Sequence, residues 1–420
     1  MKKIVLSLAG VLAATAFAPE ASAVPAFARQ TGMACNACHA QHFPILNSFG
    51  RAFKAGGYTM MGSQTKVEGD HMSIPSALNA SVIMKVRYRE DNRLTAGPLA
   101  PNSMGDGRLE FFDEFALFLG GRVAENVGFV MEGQMNGTAP LAAGFKMSFV
   151  YDVGGAKVSV HPFTTDAMGP QMGYELGSGG VYRPVRWSES RATTSAVQYN
   201  QVGGTGGATG VAFAAQNDMG YIAYTAYNPV YQMGGGAAGQ AANDLDSKYF
   251  RVALTPTVSD WAMQIGAGKM SGSSKVATAT VANLTLAMAD TDQTFFDFEA
   301  HGEVGGKELG VYLQHAKAPS SGYGNIYNNR ALGAPDRKAT TIGVDYSVIP
   351  HLLSIGAAYR SADTGAAATV NGDDAWTVQA IYDLYQNVAL HAYYMSYSGS
   401  SRAGVNAQKN ETLLMLEAGW

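Results

Sequence analysis

The stretch Ser81-Val82-Ile83-Met84-Lys85-Val86-Arg87-Tyr88-Arg89 decides the fold. Val82, Met84, Val86 and Tyr88 fall on one parity; Lys85, Arg87 and Arg89 fall on the other. Successive side chains of an extended chain point to opposite faces, so this segment is a ribbon with one apolar and one charged face. The same alternation recurs in Phe295–Glu303, where Phe296, Phe298 and Ala300 oppose Asp297, Glu299, His301 and Glu303. A strand that is apolar outward and polar inward suits a barrel wall between lipid and water.

Composition narrows the class. Charged residues are 15% of the 420, against about 25% in ordinary soluble domains, and glycine supplies 50. No apolar run of about 20 residues follows residue 23, which excludes a helical membrane protein. With 21 Tyr and 18 Phe the chain is too aromatic to be disordered, and a formal charge of −4 excludes a nucleic-acid partner. What remains is an all-β secreted protein or a transmembrane β-barrel.

The connections favour the barrel. Short turns stand at Ala124-Glu125-Asn126, Gly154-Gly155, Asn217-Asp218, Ser259-Asp260, Gly305-Gly306, Pro350-His351 and Gln386-Asn387. Long stretches alternate with them at about 90–108, 163–194, 230–246, 272–291, 319–336, 363–373 and 399–409. Short periplasmic turns and long outer loops are the outer-membrane arrangement. The last strand ends on Trp420, an aromatic end of the kind the barrel assembly machinery reads. About seventeen strand-like windows occur between Ser76 and Trp420. An even count is required, and sixteen is expected if Ala196–Val202 lies in an outer loop. Eighteen is the alternative if a strand hides near Tyr182–Trp187.

Residues 1–23 have Lys2 and Lys3, an apolar stretch from Ile4 to Ala18 and a small-residue Ala21-Ser22-Ala23 end. They read as a secretory signal peptide, with an outer-membrane destination for a barrel. Next comes Cys35-Asn36-Ala37-Cys38-His39, which holds the only two cysteines. C-x-x-C-H is the attachment motif of c-type haem: two thioethers to one porphyrin edge, then an imidazole to the iron. One covalent haem c is therefore expected, with His39 proximal and His42 on the same side. The distal ligand is expected from Met60 or Met61, with His71 or a barrel residue as the other options. Leu46, Phe49, Ala52 and Phe53 suggest one helical face. The organisation expected is a signal peptide over 1–23, a small, mainly helical haem plug over 24–72 and a porin-like barrel over 73–420. The hydrocarbon core is about 30 Å thick, and haem inside a barrel would divide that distance for an electron.

The run Val24-Pro25-Ala26-Phe27-Ala28-Arg29-Gln30-Thr31-Gly32 leads into the haem motif, followed by Phe43-Pro44, Phe49-Gly50-Arg51 and Phe53-Lys54. Over about residues 24–62 this resembles the fused monohaem cytochrome c–porins, outer-membrane iron oxidases of iron-oxidising bacteria. The Gln41-His42 insertion departs from the commonest form of that family. The resemblance implies an iron:cytochrome c oxidoreductase that oxidises extracellular Fe(II) and passes electrons to a periplasmic c-type cytochrome. The other readings are a solute porin with structural haem and a conduit carrying electrons outward to external acceptors.

For an Fe(II) donor, the loop pairs Asp244-x-Asp246 and Asp290-x-Asp292 are candidate transient sites. Arg29 first, then Arg51 and Lys54, are candidates to hold the haem propionates, because guanidinium pairs carboxylates in bidentate fashion. Lys85, Arg87 and Arg89 are expected to face Glu110, Glu114 and Glu132 across the wall.

Overall fold

The computed structural model describes residues 25–62, 64–70, 72–93, 107–135, 142–179, 195–200, 206–231, 244–277, 286–404 and 407–420. The segment read as a signal peptide, His71 and Tyr182–Trp187 lie outside them.

Sixteen antiparallel staves close into a barrel. They are β1 (Ala80–Asp91), β2 (Arg108–Ala124), β3 (Val127–Gln134), β4 (Ala142–Val153), β5 (Ala156–Thr165), β6 (Ala208–Asn217), β7 (Gly220–Asn228) and β8 (Ser247–Leu254). The second half is β9 (Trp261–Ser271), β10 (Gln293–Val304), β11 (Lys307–Ala318), β12 (Arg337–Ile349), β13 (Leu353–Thr364), β14 (Asp374–Tyr385), β15 (Val388–Ser398) and β16 (Asn410–Gly419). A two-residue strand, Thr257–Val258, belongs to the turn before β9. Closure sets Asp91 opposite Glu411 and Ile83 opposite Gly419, and Trp420 N donates to Val82 O at 3.0 Å. The barrel thus leaves no free edge, which is how a sheet satisfies its backbone in lipid.

Parity does what the sequence implied. On β1, Ser81, Ile83 and Lys85 are buried inside while Tyr88 is exposed outside. On β10, Asp297, Glu299 and His301 turn inward and Phe296 faces out. All seven short turns are found where expected, and the strand break between Gln134 and Ala142 escaped the sequence reading. Ala196–Val202 is no stave: Ala196–Asn200 is a buried helix within the connection from β5 to β6, so the count is sixteen.

The lumen is filled from both ends. From the short-turn side comes the plug, built from helix α1 (Pro25–Thr31), a turn at Cys35–Ala37 and helix α2 (Ser48–Ala55). A hairpin of Lys66–Gly69 with Met72–Pro75 follows and straddles the expected boundary at 72/73. Asn47 caps α2 by accepting from Gly50 N at 2.9 Å, and its Nδ2 donates to Ala37 O at 3.1 Å. One side chain therefore starts the helix and ties it to the haem motif. The expected face of α2 needs correction. Gly50, Arg51, Phe53 and Ala55 are buried, whereas Phe49 and Ala52 are exposed. The helix is set by its contacts inside the lumen: Arg51 pairs Glu299 at 2.6 Å, and a Cβ on Gly50 would lie 2.2 Å from Cys38 O.

From the loop side, residues 166–179 fold inward. Arg251 is 0% exposed and bonds Glu175 at 2.9 Å and Asp297 at 2.5 and 3.0 Å. Two carboxylates and a guanidinium in one dry cluster hold only as a complete set. The two fillings meet where Leu46 N donates to Ser178 Oγ at 3.0 Å, while Ser178 N donates to Glu299 Oε2 at 2.8 Å.

Candidate functional site

Cys35 and Cys38 flank a single 3-10 turn, with His39 following at once. Their backbones are clasped by Cys38 N and His39 N donating to Cys35 O at 3.1 and 3.0 Å. His39 Nδ1 lies 3.2 Å from Ile45 O. With Nδ1–H given to that carbonyl, Nε2 is left with its lone pair for a metal, the usual device that orients a ligating imidazole. Burial drives the His39 imidazole down to about 4, so the ring is neutral. Burial also pushes the Cys35 thiol up to about 12, with Asp383 adding to the effect, and burial raises Cys38. Both sulfurs are free of a disulfide, and burial works against the thiolate form.

Beside this turn is an apolar space walled by Phe27, Met33, Cys38, His39, Phe53, Lys54 and Tyr58. Phe27 stacks on Tyr58 with centroids 5.2 Å apart and meets the edge of Phe53 at 5.2 Å. A second space lies between plug and wall, bordered by Cys35, Ile83, Ile381, His391 and Glu417. Two thiols, a lone-paired imidazole and an aromatic-walled space form a donor set and a shape that fit a covalently held haem.

The remaining candidates are placed as follows. Gln30 Nε2 donates to Tyr58 O and Met60 O at 2.7 and 2.8 Å, and Gly62 N donates to Gln30 O at 3.0 Å. That clasp fixes the 58–62 segment on the end of α1. Met60 is 37% exposed, and neither it nor Met61 lines the apolar space; Met33 and Lys54 do. Arg29 Nη1 donates to Ala80 O at 2.6 Å, at the start of β1. Arg51 is taken by Glu299, and His42 is buried with Nε2 3.8 Å from Asp345 Oδ1. Lys54 is brought down to about 8 by burial, against the pull of Glu175 and Glu299.

The wall ion pairs form largely as expected. Lys85 pairs Glu114, and Arg87 pairs Glu110 and Asp113. Arg89 stands 3.8 Å from Glu110 and also pairs Glu411 across the closure, at 2.6 Å.

At the outer end, Asp244 Oδ1 accepts from Asn228 at 2.8 Å, and Asp290 accepts from Ser273. Asp246 is exposed, and Asp292 N donates to Asn325 Oδ1 at 3.2 Å. No group of three or more metal-ligating side chains occurs among the described residues.

Two features escaped the sequence reading. Tyr58 builds the aromatic wall, and Lys146 of β4 sits with its ammonium 5.4 Å from the Tyr58 ring centroid. Parity alone puts Lys146 inside, since Gly144, Lys146, Ser148 and Val150 form the buried register of β4. What it meets there depends on the plug.

No protein-family model and no curated protein matches the chain. Among solved structures it is similar to the outer-membrane expressed OmpT of Vibrio cholerae, at 12% identity over 85% of this chain and 100% of that one, TM-score 0.49. The outer membrane channel DcaP of Acinetobacter baumannii follows at 10% identity over 82% and 97%, TM-score 0.49. The anion-selective porin from Comamonas acidovorans is 12% identical over 82% and 99%, TM-score 0.48. The likeness is one of barrel to barrel, and the chain is a porin-like outer-membrane barrel by its own closed, outwardly apolar wall.

Proposed function

We propose that this chain transfers electrons across the outer membrane, oxidising extracellular Fe(II) at a c-type haem inside the barrel and passing the electrons to a periplasmic c-type cytochrome. The observation that carries the reading is the Cys35-x-x-Cys38-His39 turn inside the barrel, with Cys38 and His39 on one apolar space and Cys35 on the neighbouring one. A bound c-type haem supplies a one-electron Fe(III)/Fe(II) couple. Cys35 and Cys38 tether it, His39 ligates through Nε2, and Ile45 O keeps that imidazole in the required tautomer. Phe27, Phe53 and Tyr58 keep water from the macrocycle. Cys35 Sγ lies 3.1 Å from Gln386 O in the short turn between β14 and β15. Short turns are periplasmic in such barrels, so Cys35 stands near the periplasmic rim, and a haem it held would be within reach of a soluble partner. On the outer side, the loop carboxylates attract the ferrous cation, and iron itself has no need to cross.

The test is spectroscopic. Reduced-minus-oxidised spectra of outer membranes containing the protein show c-type haem, and added Fe(II) reduces it. Haem that stays oxidised under excess Fe(II) removes the iron-oxidase reading and leaves the outward conduit or structural haem.

A further inference from the structure

Lys146 is 3% exposed and points from β4 into the lumen. Its ammonium meets the Tyr58 ring and no carboxylate among the described residues. The charged side chain within its electrostatic reach is Lys54, a like charge. Its other lumen neighbour, His161, is occupied by Ser148 Oγ at 2.9 Å and Ser159 Oγ at 2.8 Å. Three other cationic side chains of the plug and wall are engaged elsewhere: Arg51 with Glu299, Arg29 with Ala80 O, Lys85 with Glu114.

Removing an ammonium from water is costly, and a cation over a phenol face returns only part of that cost. The balance calls for an anion. Tyr58, over which Lys146 sits, is also a wall of the apolar space that holds Cys38 and His39, and Lys54 lines that same space. We propose that Lys146 holds a haem propionate, so that the barrel wall as well as the plug grips the cofactor. This rests on the haem reading above. The carboxylate would neutralise the paired lysines of plug and wall, and the cofactor would then bridge α2 to β4. The wall would also help set the haem potential, because a nearby cation favours the reduced, less positive iron.

The experiment uses the full-length protein in detergent. Covalent haem in the wild type is scored first by its pyridine haemochrome, and a wild-type chain without it overturns the cofactor reading itself. With haem present, Lys146→Gln lowers the reduced-to-oxidised ratio at a fixed solution potential on the order of tenfold. Lys146→Arg keeps the ratio near wild type, and Lys157→Gln, at the start of β5 where its partner is Asp152, leaves it unchanged. A folded Lys146→Gln holoprotein with an unshifted ratio overturns the proposal. Should Lys146→Gln fail to assemble, redox-difference infrared spectra of the wild type decide. Ionised propionate bands that shift in Lys146→Arg support the pairing. A protonated propionate carbonyl band, or bands unmoved in Lys146→Arg, overturns it.

Discussion

At the residue scale, the site divides into what chemistry makes local and what the lumen assembles. The Cys35–His39 group was legible because the proposed attachment, two thioethers to one porphyrin edge and an imidazole to the iron, needs adjacent residues in one order. Replacing Cys35 and Cys38 together by Ser is expected to abolish covalent haem completely, as read by haem staining on a denaturing gel. The barrel should still migrate as a folded species in unheated samples, because neither sulfur makes a strong bond to the wall; Cys35 offers only its contact with Gln386 O. The partners of Arg29, Arg51 and Lys146 were not legible. Each depends on which stave the plug faces, and no local pattern carries that. For the same reason the sequence pointed to Met60 and Met61 by chain distance alone, while the clasp by Gln30 holds that segment on α1.

At the scale of elements, strands were readable and buried loops were not. A two-residue period announces a stave wherever one side meets lipid and the other water. The β5–β6 connection has no such boundary, since residues 166–179 and the helix Ala196–Asn200 lie inside. Their positions are set by polar ties to the wall. Tyr199 O–H donates to Asp373 Oδ2 at 3.0 Å, Arg402 Nε donates to Asp373 Oδ1 at 2.7 Å, and the Arg337 and Arg360 guanidiniums each lie 4.3 Å from the Tyr199 ring centroid. Burial raises the Asp373 carboxyl, but the Arg402 hydrogen bond and the Arg360 charge outweigh it and hold it below its ordinary value. A depressed carboxylate stabilises the fold fully above its unfolded value of about 3.9 and loses that contribution as pH falls through the lower folded one. In planar bilayers, Asp373→Asn should therefore show at neutral pH the raised conductance that wild type shows only well below about pH 4. Equal conductance of the two at neutral pH would remove Asp373 as the tie.

At the scale of the whole molecule, a sixteen-stranded barrel of this width is an open pore unless its lumen is occupied. Here the plug and residues 166–179 meet at Leu46 and Ser178. Liposomes bearing the wild type should not swell in small sugars, and swelling would favour the solute-porin reading over electron transfer. Arg251→Met leaves Glu175 and Asp297 buried without their cation, a loss of about 3–5 kcal/mol, and should release the inner segment. Its liposomes are expected to swell measurably, with the haem content unchanged.

The sequence by itself determined the barrel and its turns, and it carries the C-x-x-C-H motif on which the haem proposal rests. Each follows from a short-range rule: alternation across a lipid–water boundary, glycine and asparagine at tight reversals, and fixed spacing around one porphyrin edge. The tertiary structure alone decided the stave count, the inward course of the β5–β6 connection and the pairing of plug side chains with the wall. Those depend on which surfaces meet across a closed lumen. Closure joins β1 to β16 and brings residues hundreds apart, such as Cys35 and Gln386, into contact, and no pattern along the chain encodes that meeting.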